Sequence, residues 1–398
     1  MKISKLMLSA FVAAAALVSC NKENHTPKVE GVKTVEINLG NMIMTKGLAG
    51  EPIKNATPVV VNDFQLFLTD ASYSHLYHTG VKGDNDAEAN FYWSVAENTL
   101  GPDFTAANYN YQYVPNHCNT IVAVANAGRR LSLEEAVNLT ATIENQQDAS
   151  KLLLFAEATL QSTDRFHEST DKYAEVWVAN PVLTPTVARF EVDGFVMNFN
   201  GSVYTSATVT DLAFQHYLPT MTYGTPGGSE VTFVNVQSDA DVYSWFANIN
   251  DDDTNATWYV DSFSNLTLEK PSAPTSGSNY VDKADICDAN GDISPRAYHF
   301  FAPAGVPEMF FKLAVDGPTG STDAYLWTAT YKYQNTANEV VSLTEIQPGT
   351  IYRMSAAGET EGDGSIAFDE DDLNTVDRCL EVTVEVHPWK VVLVTPEF

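Results

Sequence analysis

The stretch Val382-Thr383-Val384-Glu385-Val386-His387-Pro388-Trp389-Lys390-Val391-Val392-Leu393 sets the character of the chain. Val382, Val384 and Val386 alternate with polar residues, the period of two that lines one face of a β-strand. His387-Pro388 interrupts, and Trp389, Val391 and Leu393 resume the alternation one residue out of phase, as a bulge requires. The same pattern recurs near the other end, where Val35, Ile37 and Leu39 are followed by Gly40-Asn41 and then by Met42 and Met44 with the same shift. Alternation continues through Phe64, Leu66 and Leu68, through Tyr109, Tyr111 and Tyr113, through Val176 and Val178, and through Met309 to Val315 and Tyr325 to Tyr333. Clusters of Gly, Pro, Asn, Asp and Ser separate these runs. The pattern predicts an all-β chain of sandwich architecture with few short helices.

The clearest helix starts at Ser132, whose hydroxyl can cap the Glu135 amide while Glu135 reaches back. Gln146 to Leu154 fits either helix or strand. Asn180-Pro181-Val182-Leu183-Thr184-Pro185 marks a junction, since proline cannot donate to a sheet ladder, and a new strand begins at Thr186-Val187-Ala188-Arg189-Phe190. Pro219 to Ser229 and Lys270 to Asn279 are rich in Gly, Pro, Ser and Thr and are expected to be surface loops.

At 398 residues the chain is long enough for two domains of about 100–200 residues each. With 22 Lys and Arg against 51 Asp and Glu, its formal net charge is -29, which excludes electrostatic binding to nucleic acid or to an anionic membrane surface. Hydrophobic residues make up 44% of it, far from the composition that keeps acidic chains unfolded.

The first residues are an address. Lys2 and Lys5 form a basic region, Met7 to Val18 an apolar run too short to span a membrane, and Leu17-Val18-Ser19-Cys20 resembles the bacterial lipobox, which implies cleavage before Cys20 and lipidation of that thiol. Beyond it no apolar run is long enough to cross a bilayer, so the precursor's lipid is the expected membrane contact. Cys118, Cys287 and Cys379 are scattered without metal-ligand spacing.

Enzyme signatures do not appear: there is no nucleophile elbow, no His-Glu-x-x-His and no phosphate loop, so no catalytic residue, metal or cofactor is expected. His75 and His78 are three apart and would point to opposite faces of a strand. Asp288 to Asp292 opens like a calcium loop, but Ile293 stands where that loop needs Gly. Asp251 to Asp253 and Asp369 to Asp372 are expected to be solvated acidic loops.

The lipobox opening, the strand Asn119-Thr120-Ile121-Val122-Ala123-Val124-Ala125-Asn126 leading into a helix, Val187-Ala188-Arg189-Phe190, and the ending together resemble the Bacteroidales fimbrillins. The ending is close to the Val-x-Val-x-Pro-Trp-Lys-Val tail of their major subunits. The resemblance implies a type V pilus subunit built of two tandem transthyretin-like β-sandwich domains. Its implied plan is a lipoprotein signal peptide over 1–19, a propeptide with the first strand over 20–46, an N-terminal sandwich over 47–185 and a C-terminal sandwich over 186–398, with donor strands at 380–398. The precursor would be an outer-membrane lipoprotein and the mature form a component of a cell-surface fimbrium supporting adhesion.

In that plan a trypsin-like protease cuts between Lys46 and Gly47, where the family typically has Arg, with Lys54 as the fallback. Loss of the displaced strand (Val35, Ile37, Leu39, Met42, Met44) would open a groove with unpaired backbone groups, a template for another strand. The donor strand (Val382, Val384, Val386, Trp389, Val391, Leu393) of an identical or related subunit would fill it. Five or six inward residues give a gross burial of roughly 8–18 kcal/mol. A host or bacterial surface ligand is the further partner such a subunit would have. Two alternatives remain open: a surface glycan-binding lipoprotein stacking sugars on Trp177, Trp245, Trp258 or Trp327, and an anchor or tip subunit rather than a stalk.

Overall fold

The computed structural model describes residues 32–38, 59–77, 91–96, 108–148, 151–169, 172–200, 203–232, 260–275, 277, 280–287, 293, 296–335, 337–355, 365–373, 379–388 and 391–393. The chain is all-β. Its first half supplies β1 (Val32–Asn38), β2 (Val59–Val61), β3 (Asp63–Thr69), β4 (Phe91–Ser94), β5 (Asn108–Pro115), β6 (Thr120–Ala125), the helix α1 (Leu133–Val137), β7 (Thr140–Thr142), β8 (Leu154–Thr159), β9 (Gln161–Ser169), β10 (Lys172–Ala179) and β11 (Thr184–Pro185). The second half supplies β12 (Val187–Val192), β13 (Gly194–Phe199), β14 (Ser206–Gln215), β15 (Thr220–Thr222), β16 (Thr225–Gly227), β17 (Val260–Glu269), β18 (Tyr280–Asp285), β19 (Arg296–Phe301) and β20 (Glu308–Gly317). It continues through β21 (Gly320–Gln334), β22 (Val340–Leu343), β23 (Thr350–Ser355), β24 (Ser365–Asp369), β25 (Cys379–Pro388) and β26 (Val391–Leu393).

Two sheets, ordered β5-β1-β10-β9 and β11-β8-β6-β3-β4, carry the first half. Their inward side chains, among them Val35, Ile37, Tyr111 and Val114 from one and Phe64, Leu68 and Ile121 from the other, belong to one buried cluster. The outward face of β3 and β6 is covered as well: Phe67, Val122 and Val124 pack on Leu131, Leu133 and Ala136 around α1. That cover is why Thr120 to Ala125 reads as an unbroken apolar run, since a strand buried on both faces has no polar side to alternate with. The expected capping box is present, with the Glu135 amide donating to Ser132 Oγ at 3.1 Å and the Ser132 amide donating to Glu135 Oε2 at 2.8 Å.

In the second half a large sheet runs β17-β14-β20-β21-β25-β23-β12-β19, with β22 beside β21, and a smaller one runs β18-β13-β24. Phe190, Phe195, Phe214, Phe300, Phe311 and Phe368 are all buried in the core. Phe195 and Phe368 stack with ring centroids 5.6 Å apart, while Phe190 meets Phe300 edge-on.

Two sequence expectations change here. Gln146 to Leu154 is a connection whose first residue ends a 3-10 turn over Ile143–Gln146 and whose last begins β8. The Pro219 to Ser229 segment is not a free loop: β15 and β16 form a hairpin that adds to β7, with Met221 opposite Ala141. Its side chain Met221 is fully buried, so an apolar anchor inside a polar stretch decides the pairing. The seam between the halves is closed by further contacts. Tyr73 and Tyr223 hydroxyls both donate to Glu157 Oε2, at 2.8 and 2.9 Å. Gln147 Nε2 donates to the His299 carbonyl at 3.0 Å and its Oε1 accepts from the His299 amide at 3.1 Å.

His299 is buried, with Nδ1 2.6 Å from the Gln146 carbonyl oxygen. Burial, helped by the Arg189 charge, pushes its imidazole pKa down to about 3. The folded state therefore binds fewer protons than the unfolded chain, whose histidine titrates near pH ~6.5, so this contribution is complete above that pH and is lost as pH falls toward about 3. We expect the urea midpoint to fall more steeply between pH 7 and 4.5 for the parent than for His299→Gln, a difference of a few kcal/mol. Parallel slopes would rule out a neutral imidazole at the seam.

Candidate functional site

The two chain ends that share the alternating pattern occupy different kinds of position. β1 lies inside a sheet, antiparallel to β5 and parallel to β10, with Val35 opposite Tyr111 on one side and Trp177 on the other. A strand so placed satisfies backbone donors and acceptors on both edges, and taking it out would leave β5 and β10 each with an unpaired row. Val35 and Ile37 are fully buried. Glu36 reaches across β10 to β9, where Arg165 Nη2 donates to its Oε2 at 2.7 Å.

Lys33 departs from this apolar pattern. Its side chain is buried at 1% exposure, yet the ammonium has a carbonyl partner, Asn116, at 3.3 Å and lies 4.4 Å above the centre of the Trp177 ring. Burial pushes its pKa down, with Cys118 and Glu175 acting the other way. Because Lys33 Nζ occupies one face of Trp177, that ring does not present an open sugar platform. Sequence reasoning missed Lys33 because only the apolar residues of the strand were counted: Lys33 has the parity of Val35 and Ile37, and period-two alternation puts all three on one face.

At the other end, β25 is also an interior strand. It runs parallel to β21, with Tyr331 opposite Val382, and antiparallel to β23, with Met354 opposite Val384. Val382 and Val384 are buried, as their alternation predicts. Val386 is not: it is 38% exposed. Pairing with β21 stops at Thr383, so beyond that point β25 has β23 alone beside it and Val386 loses the neighbours that would cover it. After β25 the chain forms β26, which pairs in parallel with β2 in the first half: Val391 lies opposite Val59 and Leu393 opposite Val61. Val59 and Val61 are fully buried. The proposed donor segment thus divides into a rooted strand and a short terminal one.

Cys20, Leu39, Met42, Met44, Lys46, Gly47, Lys54, Trp389, Trp245, Trp258 and the segments Asp251 to Asp253 and Asp288 to Asp292 lie outside the described residues. Of the remaining candidates, Asp369 is engaged by Asn198 and Asn200 at 2.9 and 2.8 Å, and the buried Glu370 accepts the Val203 and Tyr204 amides at 3.0 and 3.1 Å. These carboxylates hold loops together. Cys118 is a buried free thiol and Cys287 an exposed one. A cavity of about 400 Å³ beside α1 is lined by Glu144, Asn145, Asp148 and Lys151 among others and has no aromatic wall. It offers nothing for a sugar ring to stack on.

No family model matches the chain, and no curated protein does. Solved structures do resemble it. A candidate cell adhesion protein from Parabacteroides distasonis has 10% identity and a TM-score of 0.47, covering 91% of this chain and 98% of its own. Another from Bacteroides eggerthii has 11% identity and a TM-score of 0.42, covering 94% and 100%. The fimbrial anchor protein Mfa2 from Porphyromonas gingivalis has 10% identity and a TM-score of 0.32, covering 90% and 99%. The structural neighbours are thus adhesion and fimbrial proteins of Bacteroidales. At these identities and TM-scores below 0.5 the likeness carries no further argument.

The division of the C-terminus makes a measurable difference. Val384→Asp places an uncompensated carboxylate inside the large sheet and should cost on the order of 3–5 kcal/mol. Deleting everything after Pro388 removes β26 and its ladder with β2, at about 1–3 kcal/mol, and leaves β25 in place. Urea unfolding followed by circular dichroism should rank the two in that order, and equal losses would mean that β25 is no more deeply rooted than β26.

Proposed function

We propose that this chain is a structural subunit of a cell-surface fimbria, made as a lipoprotein precursor attached through Cys20, trimmed after Lys46 and polymerised by strand exchange. The observation that carries the proposal is the position of β1. It precedes the proposed cleavage point, is enclosed by β5 and β10, and presents Val35 and Ile37 to the core. A segment that is cut from the mature chain and yet completes a sheet interior is a placeholder, because its loss creates a slot that only another strand can fill.

Lys33 supports the same reading in two ways. Buried, it cannot enter the extended binding cleft of a protease specific for basic residues, so cleavage is directed to later lysines. Its desolvated ammonium also makes β1 a weaker occupant than a strand with an apolar residue there. The two fully buried apolar residues of β1, Val35 and Ile37, contribute roughly 3–6 kcal/mol of gross burial.

The donor would be the tail after β25. Freeing β26 breaks one short ladder with β2, whereas extracting β25 would break two long ones, with β21 and with β23. Trp389, Val391 and Leu393 then supply the alternating side chains, and β25 remains as the root that transmits load to its own domain. Partners are further copies of this chain or related subunits, with the processing protease acting before assembly.

Treating the purified full-length precursor with a lysine-specific protease tests the proposal. A new N-terminus at Gly47, release of the β1 segment and SDS-resistant ladders are expected. Lys46→Ala with Lys54→Ala should abolish all three, and Ile37→Asp should loosen β1 without cleavage. Ladders formed at the normal rate by the double lysine variant would overturn the reading.

A further inference from the structure

The structure brings together two histidines that lie far apart in the sequence. His75 sits in the turn after β3 and His117 in the turn between β5 and β6, and their rings are 5.3 Å apart between centroids with an interplanar angle of 69°. His75, weighed from the sequence together with His78, has His117 as a neighbour, and His78 lies outside the described residues. The His75 side chain is 66% exposed and His117 is exposed as well, so both are open to a solute.

Behind His75 stands Asp70. Its Oδ2 is 2.7 Å from His75 Nδ1, and its Oδ1 accepts the Ser74 amide at 2.8 Å. Slight burial would raise this carboxyl, but hydrogen bonds from His75, Ser74 and Ser72 outweigh it and hold the pKa at about 2. A carboxylate 2.7 Å from Nδ1 favours the tautomer that carries the proton on that nitrogen, with the lone pair on Nε2. This is the carboxylate–histidine arrangement that orients metal-bound imidazoles and raises their basicity. The backbone is fixed too: the Thr69 hydroxyl donates to the His75 carbonyl at 2.8 Å, and the Cys118 amide donates to the Pro115 carbonyl at 3.0 Å beside His117.

We propose that His75 and His117 form a two-imidazole site for a first-row transition-metal dication of the Zn²⁺ class, with Asp70 as the orienting outer carboxylate. The spacing fits the chemistry. Two imidazoles bound through one nitrogen each to a tetrahedral Zn²⁺, at about 2.0–2.1 Å, have ring centres about 5 Å apart. Among the described residues no three His, Cys, Asp or Glu side chains converge on a metal position, so water fills the remaining coordination sites. Imidazole nitrogen selects against Ca²⁺ and Mg²⁺, which take oxygen ligands. A formal net charge of -29 raises the local concentration of any dication. The ion would join the turn after β3, in one sheet of the N-terminal sandwich, to the end of β5 in the other, the strand that forms one wall of the β1 position.

Calorimetric titration of the full chain with Zn²⁺ alone, at pH 7.5 and after EDTA treatment, tests this. One site is expected, lost at least tenfold in affinity in His75→Gln and in His117→Gln. Asp70→Asn should weaken it by about 10–100-fold. Zn²⁺ should raise the thermal midpoint of the parent and leave both histidine variants unmoved, while all three chains melt together in EDTA. Full-affinity binding by both histidine variants, displacement of Zn²⁺ by an equal excess of Ca²⁺, or no binding by the parent would each overturn the proposal. None of these outcomes bears on strand exchange, which the lysine variants test separately.

Discussion

Hydrogen bonding on both edges of β1 is the constraint on which the N-terminal half depends. The sheet β5-β1-β10-β9 has no direct pairing between β5 and β10, so the strand between them is what makes it one sheet. Its neighbours come from well down the chain, and β10 runs parallel to it, so no tight turn could have brought them together. Apolar burial at Val35 and Ile37 favours the strand, and the desolvated Lys33 ammonium opposes it, with Trp177 and the Asn116 carbonyl offsetting part of the cost. That opposition is what the proposed removal of β1 would require.

The seam between the halves meets a different need. The contacts between the halves are of several kinds, and under the proposed assembly they would carry tension through the subunit. The β7-β15 ladder adds a hairpin of the second half to the first. Glu157 receives hydroxyls from Tyr73 and Tyr223, one from each half, and both tyrosines adopt left-handed backbone conformations at φ 57° and 46° that aim them at it. Gln147 and His299 exchange a reciprocal pair of bonds beneath. The tail adds a fourth link through the parallel pairing of β26 with β2.

Legibility in the sequence followed how local each determinant is. The capping box at Ser132 and Glu135 was readable because both bonds span three residues. The inward faces of Val35 and Ile37, and of Val382 and Val384, were readable because a strand's alternation survives whatever it pairs with. Val386 shares the alternation but is 38% exposed in this chain, since whether an alternating valine is covered depends on where the neighbouring strand β21 stops pairing. Lys33 faces inward by the same alternation, two residues before Val35, and was passed over because only apolar residues were taken to mark that face. The Pro219 to Ser229 hairpin was hidden by turn-forming residues around the buried Met221.

By itself the sequence determined the class of structure, the sites where chains start and stop strands, and the alternating character of the two ends, since these rest on backbone preference and side-chain periodicity within a few residues. Tertiary structure alone decided that β1 has two neighbours, that β25 is rooted while β26 reaches across to β2, and that His75 meets His117. Those are questions of which distant segments become adjacent, and adjacency is set by the packing of whole sheets around a shared core, a property that no short stretch of the chain contains.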